Sequence, residues 1–484
     1  MISKMLYVRG LACACVAVLA VGCMSDSLVS VTPPESIVDP SVVATATGAT
    51  QLYNNAVTTW ERGVGGTATG GGLNNSFAFL TGLWTDELMH VQGSFNGYPY
   101  FLPVDERINT NFTIASFSSV NNLLVTIRTS AQLGREALTL YAPNAPVAWR
   151  ARLLAQEGFG VVYLAELYCS GTALSKVHLV GQPTYTKGFT TQEMLDQAIA
   201  LFDSAVTLAG DSTRFKNLAL VGKGRALLDE GKFAEAAAAV STVPTDFVYN
   251  LQFTGLITPI GPNYIGNYPK SAQVRDKEGG VGLTWTGDPR TAIVTVPAQS
   301  GAMPVPGKYS YVSGVIQAGT VVPDNPIRAA DGLEARLIEA EAALAAGDAS
   351  WLAKLNALRA TCIGSAACAP VLGLTASNLP ANLTDPGASD SRLNLMMQER
   401  AMWLYLTGHR QGDLRRMAHI YKRDPTTLWP TGLYVNPGFP PLVPASVDNG
   451  VATYGTLYVW DSNSGLTPES RLNSLYSGCF DLNP

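Results

Sequence analysis

Apolar residues recur at three- and four-residue spacing through much of the chain, which predicts helices over 40–62, 74–89 and 116–141, separated by glycine-rich stretches such as 63–72. The pattern is strongest over 149–168. Thr190-Thr191-Gln192-Glu193 then offers a capping box that opens a helix to about residue 208. From 245 to about 326 the helical period vanishes into Gly, Pro, Thr and Tyr, with short β-like runs such as 292–296. That span is longer than a connection needs, so it either carries function or covers a helical face. Helices return at 329–346, 350–360 and 393–421, and the last sixty or so residues are irregular, with Pro430, Pro437, Pro440, Pro441 and Pro444.

After about residue 208 the pattern becomes a helix pair that ends before Pro244. Leu220, Gly224 and Leu227 line the first helix, Gly231 breaks it, and Phe233, Ala236 and Val240 line the second before Pro244. Small residues that let two helices pack closely, with aromatic rings filling the gaps, resemble a tetratricopeptide repeat.

The N-terminus changes the picture. Residues 1–10 carry Lys4 and Arg9 and no acid, 11–21 are apolar, and Ala20-Val21-Gly22 precede Cys23. This layout predicts a lipoprotein signal peptide, residues 1–22, with Cys23 the lipidated residue. About eleven apolar residues fall short of the roughly twenty that span a bilayer. Several acyl chains on one cysteine would make a permanent anchor, because stable binding takes at least two signals. Residues 23–38, with Thr32-Pro33-Pro34, read as a tether, and Met24, not aspartate, follows the cysteine, which argues against inner-membrane retention.

Charge excludes one class of partner. The formal net charge of −5 becomes −7 when Lys4 and Arg9 leave with the signal peptide, and no Lys/Arg run points to nucleic acid or an anionic membrane surface. Cys169, Cys362, Cys368 and Cys479 would meet an oxidising compartment. Cys362 and Cys368 flank a short Ile-Gly-Ser-Ala-Ala loop and are candidates for one disulfide, with Cys169 and Cys479 the leftover pair. No C-x-x-C is present and no histidine lies near these cysteines, so no metal is expected.

Catalytic signatures are missing from the sequence. His90, His178, His409 and His419 are dispersed, there is no H-E-x-x-H and no G-x-S-x-G, and Gly63-Val64-Gly65-Gly66 is followed by no phosphate-loop lysine. Two carboxylates brought together only by the fold leave no spacing signal, so a lipid-anchored glycan hydrolase stays an alternative. A tetratricopeptide scaffold for envelope assembly is a second.

Two segments carry a more specific likeness. Ile327-Arg328-Ala329-Ala330-Asp331 leads into Leu337-Ile338-Glu339-Ala340-Glu341-Ala342. Later, Gln398-Glu399-Arg400 runs through Gly408-His409-Arg410 to Asp413-Leu414-Arg415-Arg416. With Trp84-Thr85-Asp86-Glu87, Tyr163 to Leu167, and Gly287-Asp288-Pro289-Arg290 before Lys308-Tyr309, these resemble, in the same order, the SusD/RagB family of nutrient-uptake lipoproteins. The closing segment of that pattern is only dimly matched by Leu442-Val443-Pro444 and Asn483-Pro484.

The resemblance implies a mainly α fold, a tetratricopeptide-like helical repeat scaffold with long loop-rich insertions. It implies one SusD-like domain over 39–484, with helical repeats at about 39–244 and 327–421 and ligand-side segments at about 245–326 and 422–484. It also implies a non-enzymatic protein without cofactor, lipid-anchored at the outer membrane and facing the cell surface. Its partners would be a glycan or peptide ligand and a SusC-like TonB-dependent transporter. Flat rings suit sugar faces, and the loops supply Trp84, Phe95, Tyr98, Tyr100 and Phe101, then Tyr264, Tyr268, Trp285, Tyr309 and Tyr311. Trp84, Tyr98, Tyr100, Trp285, Arg290, Tyr309 and Tyr311 are the expected ligand residues. Glu399, Arg400, His409, Arg410, Asp413, Arg415 and Arg416 read as a structural network, because guanidinium–carboxylate forks tie helix to loop.

Overall fold

A computed structural model of the chain describes residues 43–66, 76–90, 104–105, 111–168, 170–253, 272–274, 283–285, 287–291, 293–298, 301–306, 315–317, 320–322, 326–361, 381–423 and 428. Eleven helices lie among them: α1 Ala46–Gly65, α2 Phe77–Trp84, α3 Asn111–Tyr141, α4 Val147–Leu167, α5 Thr191–Leu208, α6 Thr213–Asp229, α7 Phe233–Val240, α8 Gly332–Ala345, α9 Ser350–Thr361, α10 Ser389–Trp403 and α11 Arg410–His419. None is long and apolar enough to cross a membrane.

The helices pack in a nearest-neighbour run. α1 lies on α3, α3 on α4, α4 on α5, α5 on α6, α6 on α7, α7 on α8 and α8 on α9, the stacking by which helical repeats share one continuous core. α4 is the centre, buried all round from Ala151 to Leu167. An aromatic chain crosses it: Trp60 to Phe159 at 5.3 Å, Phe159 to Phe202 at 5.2 Å in an edge-on arrangement, and Phe77 to Tyr163 at 4.6 Å. Such pairs add about 0.5–1.5 kcal/mol each beyond area burial.

Local sequence explains several boundaries. The Thr190 hydroxyl accepts from the Glu193 amide while the Glu193 carboxylate accepts from the Thr190 amide, so the capping box is present at the head of α5. Gly224 sits where α6 meets α7, and a Cβ there would lie 2.4 Å from Val240 Cγ1. Gly224→Val should therefore destabilise the chain by about 1–3 kcal/mol through overpacking. The helix-propensity gain of roughly 0.4 kcal/mol is too small to offset this. A lowered denaturant midpoint with an unchanged slope is the expected readout.

Two expected helices are cut short. The helix expected over 74–89 ends at Trp84, Asp86 takes a φ of 61°, and β1 Leu88–His90 follows. The helix expected from 329 begins at 332, because Ile327–Asp331 pairs antiparallel with Val248–Leu251. Asp331 then caps α8, accepting from the Glu334 amide at 2.7 Å and from Arg328 at 2.6 Å. Short antiparallel pairs occupy the 245–326 region, among them 293–298 with 301–306.

Candidate functional site

The segment expected as one helix over 393–421 is two helices, α10 and α11, joined by a turn. Leu406 has a φ of 54° and Gly408 of 79°. A Cβ on Gly408 would sit 2.4 Å from Phe77 Cε1, so only glycine suits both the left-handed backbone and the close approach of α2. Glu87 fixes the turn: its carboxylate accepts from the Leu406 amide at 2.8 Å, and its carbonyl accepts from the Tyr405 hydroxyl at 2.8 Å.

Around this turn five helices converge through buried charge. Arg400 donates to Asp413 at 2.9–3.1 Å. Arg416 donates to Asp413 at 2.8 Å, to Asp229 at 2.8 Å and as a fork to Glu341 at 2.7 and 2.9 Å. Arg415 donates to the carbonyls of Ala165 and Tyr168. Arg225 forks onto Glu166 at 2.5 and 2.6 Å and lies 2.8 Å from His409 Nε2. Burial opposes the Arg225 charge, but Glu166 and Glu334 hold its pKa above the ordinary guanidinium value. Burial and the Arg225 charge push the His409 imidazole below its usual range, so it is neutral at neutral pH, with Nδ1 2.8 Å from Thr407 Oγ1. Arg410 is buried as well.

The same helices hold the bases of the loops. Arg290, the middle residue of the helical turn Pro289–Thr291, forks onto Glu399 at 2.8 and 3.0 Å and onto Asp288 at 2.7 and 2.9 Å, and its guanidinium lies 4.9 Å from the centre of the Trp403 ring. Arg359 of α9 forks onto the other side of Glu399. Trp285 packs on Tyr405 with ring centroids 5.0 Å apart. β1 pairs antiparallel with Ala272–Val274, so His90, where one aromatic-rich segment departs, lies opposite Ala272, where another returns.

Three of the expected ligand residues are enclosed. Trp84 and Trp285 are 0% exposed and Arg290 is 2% exposed. An enclosed indole presents no face to a sugar, and a guanidinium forked onto two carboxylates has its donors committed. Tyr98, Tyr100, Tyr309 and Tyr311 lie outside the described residues, as do Cys23, Cys169, Cys362, Cys368 and Cys479. Sequence reasoning missed Arg225, Asp229 and Arg359 as members of the charge web. The available signal was a charged residue at a core-facing helical position, as in Gly224-Arg225-Ala226-Leu227.

Burial alone would raise the Glu399, Asp288 and Asp413 carboxyls, but their arginine partners win and hold all three below the usual carboxylate range. In the unfolded chain they titrate near 4. As pH falls the unfolded state therefore takes up these protons first, and the stability they contribute is present above about pH 4.5 and lost below it. Unfolding midpoints measured from pH 5 to pH 3 should drop steeply, and Asp413→Asn should flatten part of that slope.

The fold has solved counterparts. A SusD homologue from Bacteroides thetaiotaomicron superposes with a TM-score of 0.57 at 14% identity, covering 81% of this chain and 90% of that one. NanU of B. fragilis gives 0.51 at 14% identity, covering 80% and 92%. A laminarin-binding SusD-like protein gives 0.50 at 16% identity, covering 77% and 91%. No family model and no curated relative matches the chain. At these identities the likeness establishes the fold: a SusD-like, mainly helical scaffold of tetratricopeptide type, as the resemblance in the sequence implied.

Proposed function

We propose that the chain is a lipid-anchored outer-membrane protein that captures an oligosaccharide and delivers it to a SusC-like TonB-dependent transporter. The observation that carries this reading is the buried base built by Glu399, Arg290, Arg359 and Trp285, tied through Tyr405 to Glu87 at the head of the strand whose last residue, His90, lies opposite Ala272. A site gains affinity when its ligand-bearing loops start from rigid elements, because less ordering entropy is lost on binding. In this reading Tyr98, Tyr100, Tyr309 and Tyr311 are the sugar-facing rings. Solved proteins of the same fold that are described as carbohydrate-binding add support. The lipobox at Cys23 supplies the anchor, and the ligand would be held without chemistry on it.

The test has two arms. A glycan panel followed by thermal shift should reveal one class that stabilises the protein, by about 2.7 kcal/mol at a hundred times its dissociation constant. Tagged protein extracted in detergent should co-purify with a large β-barrel, and Cys23→Ala should give a soluble protein that still binds glycan but no longer supports uptake. Product release from the glycans, or retention of Cys23→Ala on the membrane, would count against the proposal.

A further inference from the structure

A cleft of about 680 Å³ lies away from the charge web, between α3, α4, α5 and the stretch 174–178, within the size range of small-molecule sites. Leu154, Val161, Leu174 and Leu201 form its apolar wall, and among the described residues no Trp, Tyr or Phe lines it. Without rings it offers no stacking face for a sugar.

Its two acids are already engaged. Glu157 accepts from Gln132 at 2.6 Å and from Arg135 at 3.0 Å. Glu136 accepts from the Leu179 amide at 3.0 Å and lies 3.8 Å from His178 Nδ1. Arg128 is the buried charged group of the cleft without a carboxylate partner. It is 3% exposed, its Nη atoms donate only to the carbonyls of Leu174 at 3.4 Å and Ser175 at 2.5 Å, and its Nε has no partner. It forms no ion pair among the described residues, and the charge of Glu157 only partly counters the cost of its burial. Lys176 lines the same cleft, also with no ion pair among the described residues. A buried cation hydrogen-bonded only to carbonyls, with its nearest carboxylate committed elsewhere, is an expensive arrangement, and an anion placed beside it relieves that expense.

We infer that this cleft binds a small organic carboxylate with an aliphatic body, the carboxylate set at Arg128 and Lys176 and the body against Leu154, Val161, Leu174 and Leu201. The inference is independent of glycan capture by the loops.

Calorimetry with three probes on the full mature chain tests it. Hexanoate should bind saturably and at least tenfold more tightly than hexan-1-ol, which lacks the charge, and than glucuronate, which lacks the aliphatic body. Arg128→Gln should weaken hexanoate binding tenfold or more. Because Arg128 also holds the carbonyls at 174–175, the second variant is Ala200→Trp, which fills the cleft from an exposed position on α5. It should abolish hexanoate binding while leaving any glycan binding unchanged. Equal binding of hexanol and hexanoate, preference for glucuronate, absence of hexanoate binding to the wild-type chain, or hexanoate binding undisturbed by Ala200→Trp would each overturn the inference.

Discussion

Asp413→Ala is expected to destabilise the chain by about 3–5 kcal/mol, the range for removing one partner from a buried ion pair. Asp413 is 2% exposed and accepts from both Arg400 and Arg416. Its removal leaves two buried guanidiniums with one acceptor fewer. The outcome should lie toward the lower end of that range, because Arg416 retains Glu341 and Asp229 and Arg400 still lies 3.4 Å from Glu341. The exposed pair Arg392–Asp385 is the contrast. Its fork at 2.7 Å is as short, but both side chains are about 40% exposed. Solvent screening reduces such a pair to about 0–1 kcal/mol, so Arg392→Ala should barely move the midpoint. In a double-mutant cycle, Asp413→Ala with Arg400→Met should cost less than the sum of the single changes, because the second removes the charge that the first orphaned. Additive costs, or an Asp413→Ala effect no larger than that of Arg392→Ala, would show that the web does not act as one unit.

The helical scaffold was legible because packing writes itself into periodicity. Apolar spacing located the helices now seen at Val147–Leu167, Thr191–Leu208 and Ser350–Thr361, and hydrogen-bond chemistry marked Thr190 as a cap. What periodicity could not show was where pairing across the chain overrides it. The break between α10 and α11, at 404–409, begins within Ala401–Leu406, which is apolar enough to continue a helix, and depends on Gly408 meeting Phe77 over three hundred residues away. Residues 327–331 become a strand because 248–251 lies beside them. The charge cluster at 399–416 was visible, yet Arg225 with its partner Glu166, and Asp229, come from helices whose sequences give no pairing signal. Aromatic content separates the two settings no better, for a related reason. A tryptophan has the same composition whether it faces a ligand or, like Trp84 and Trp285, fills the core.

Glu399 joins the part of the molecule that was legible to the part that was not, and Glu399→Ala is expected to have the largest functional effect. Its carboxylate is the shared acceptor for Arg290 from the loop region and Arg359 from α9, and it is 1% exposed. Removing it leaves Arg290 on Asp288 alone and Arg359 on the Ala381 carbonyl. Two buried cations lose their common counter-charge, at a cost of about 3–5 kcal/mol. The damage should be local, since Glu399 touches none of the Asp413, Glu341 and Asp229 acceptors that hold α6, α8 and α11 together. The expected result is a protein with nearly unchanged far-UV circular dichroism and a lowered unfolding midpoint. Amide exchange at residues 283–291 should be raised, and glycan affinity reduced at least tenfold. Glu399→Gln keeps the shape and one acceptor oxygen and should fall between the two. If Glu399→Ala lost stability but bound glycan as tightly as the parent, the charge-locked base would be a feature of the scaffold alone, and the site would have to be sought where the loops are held by something else.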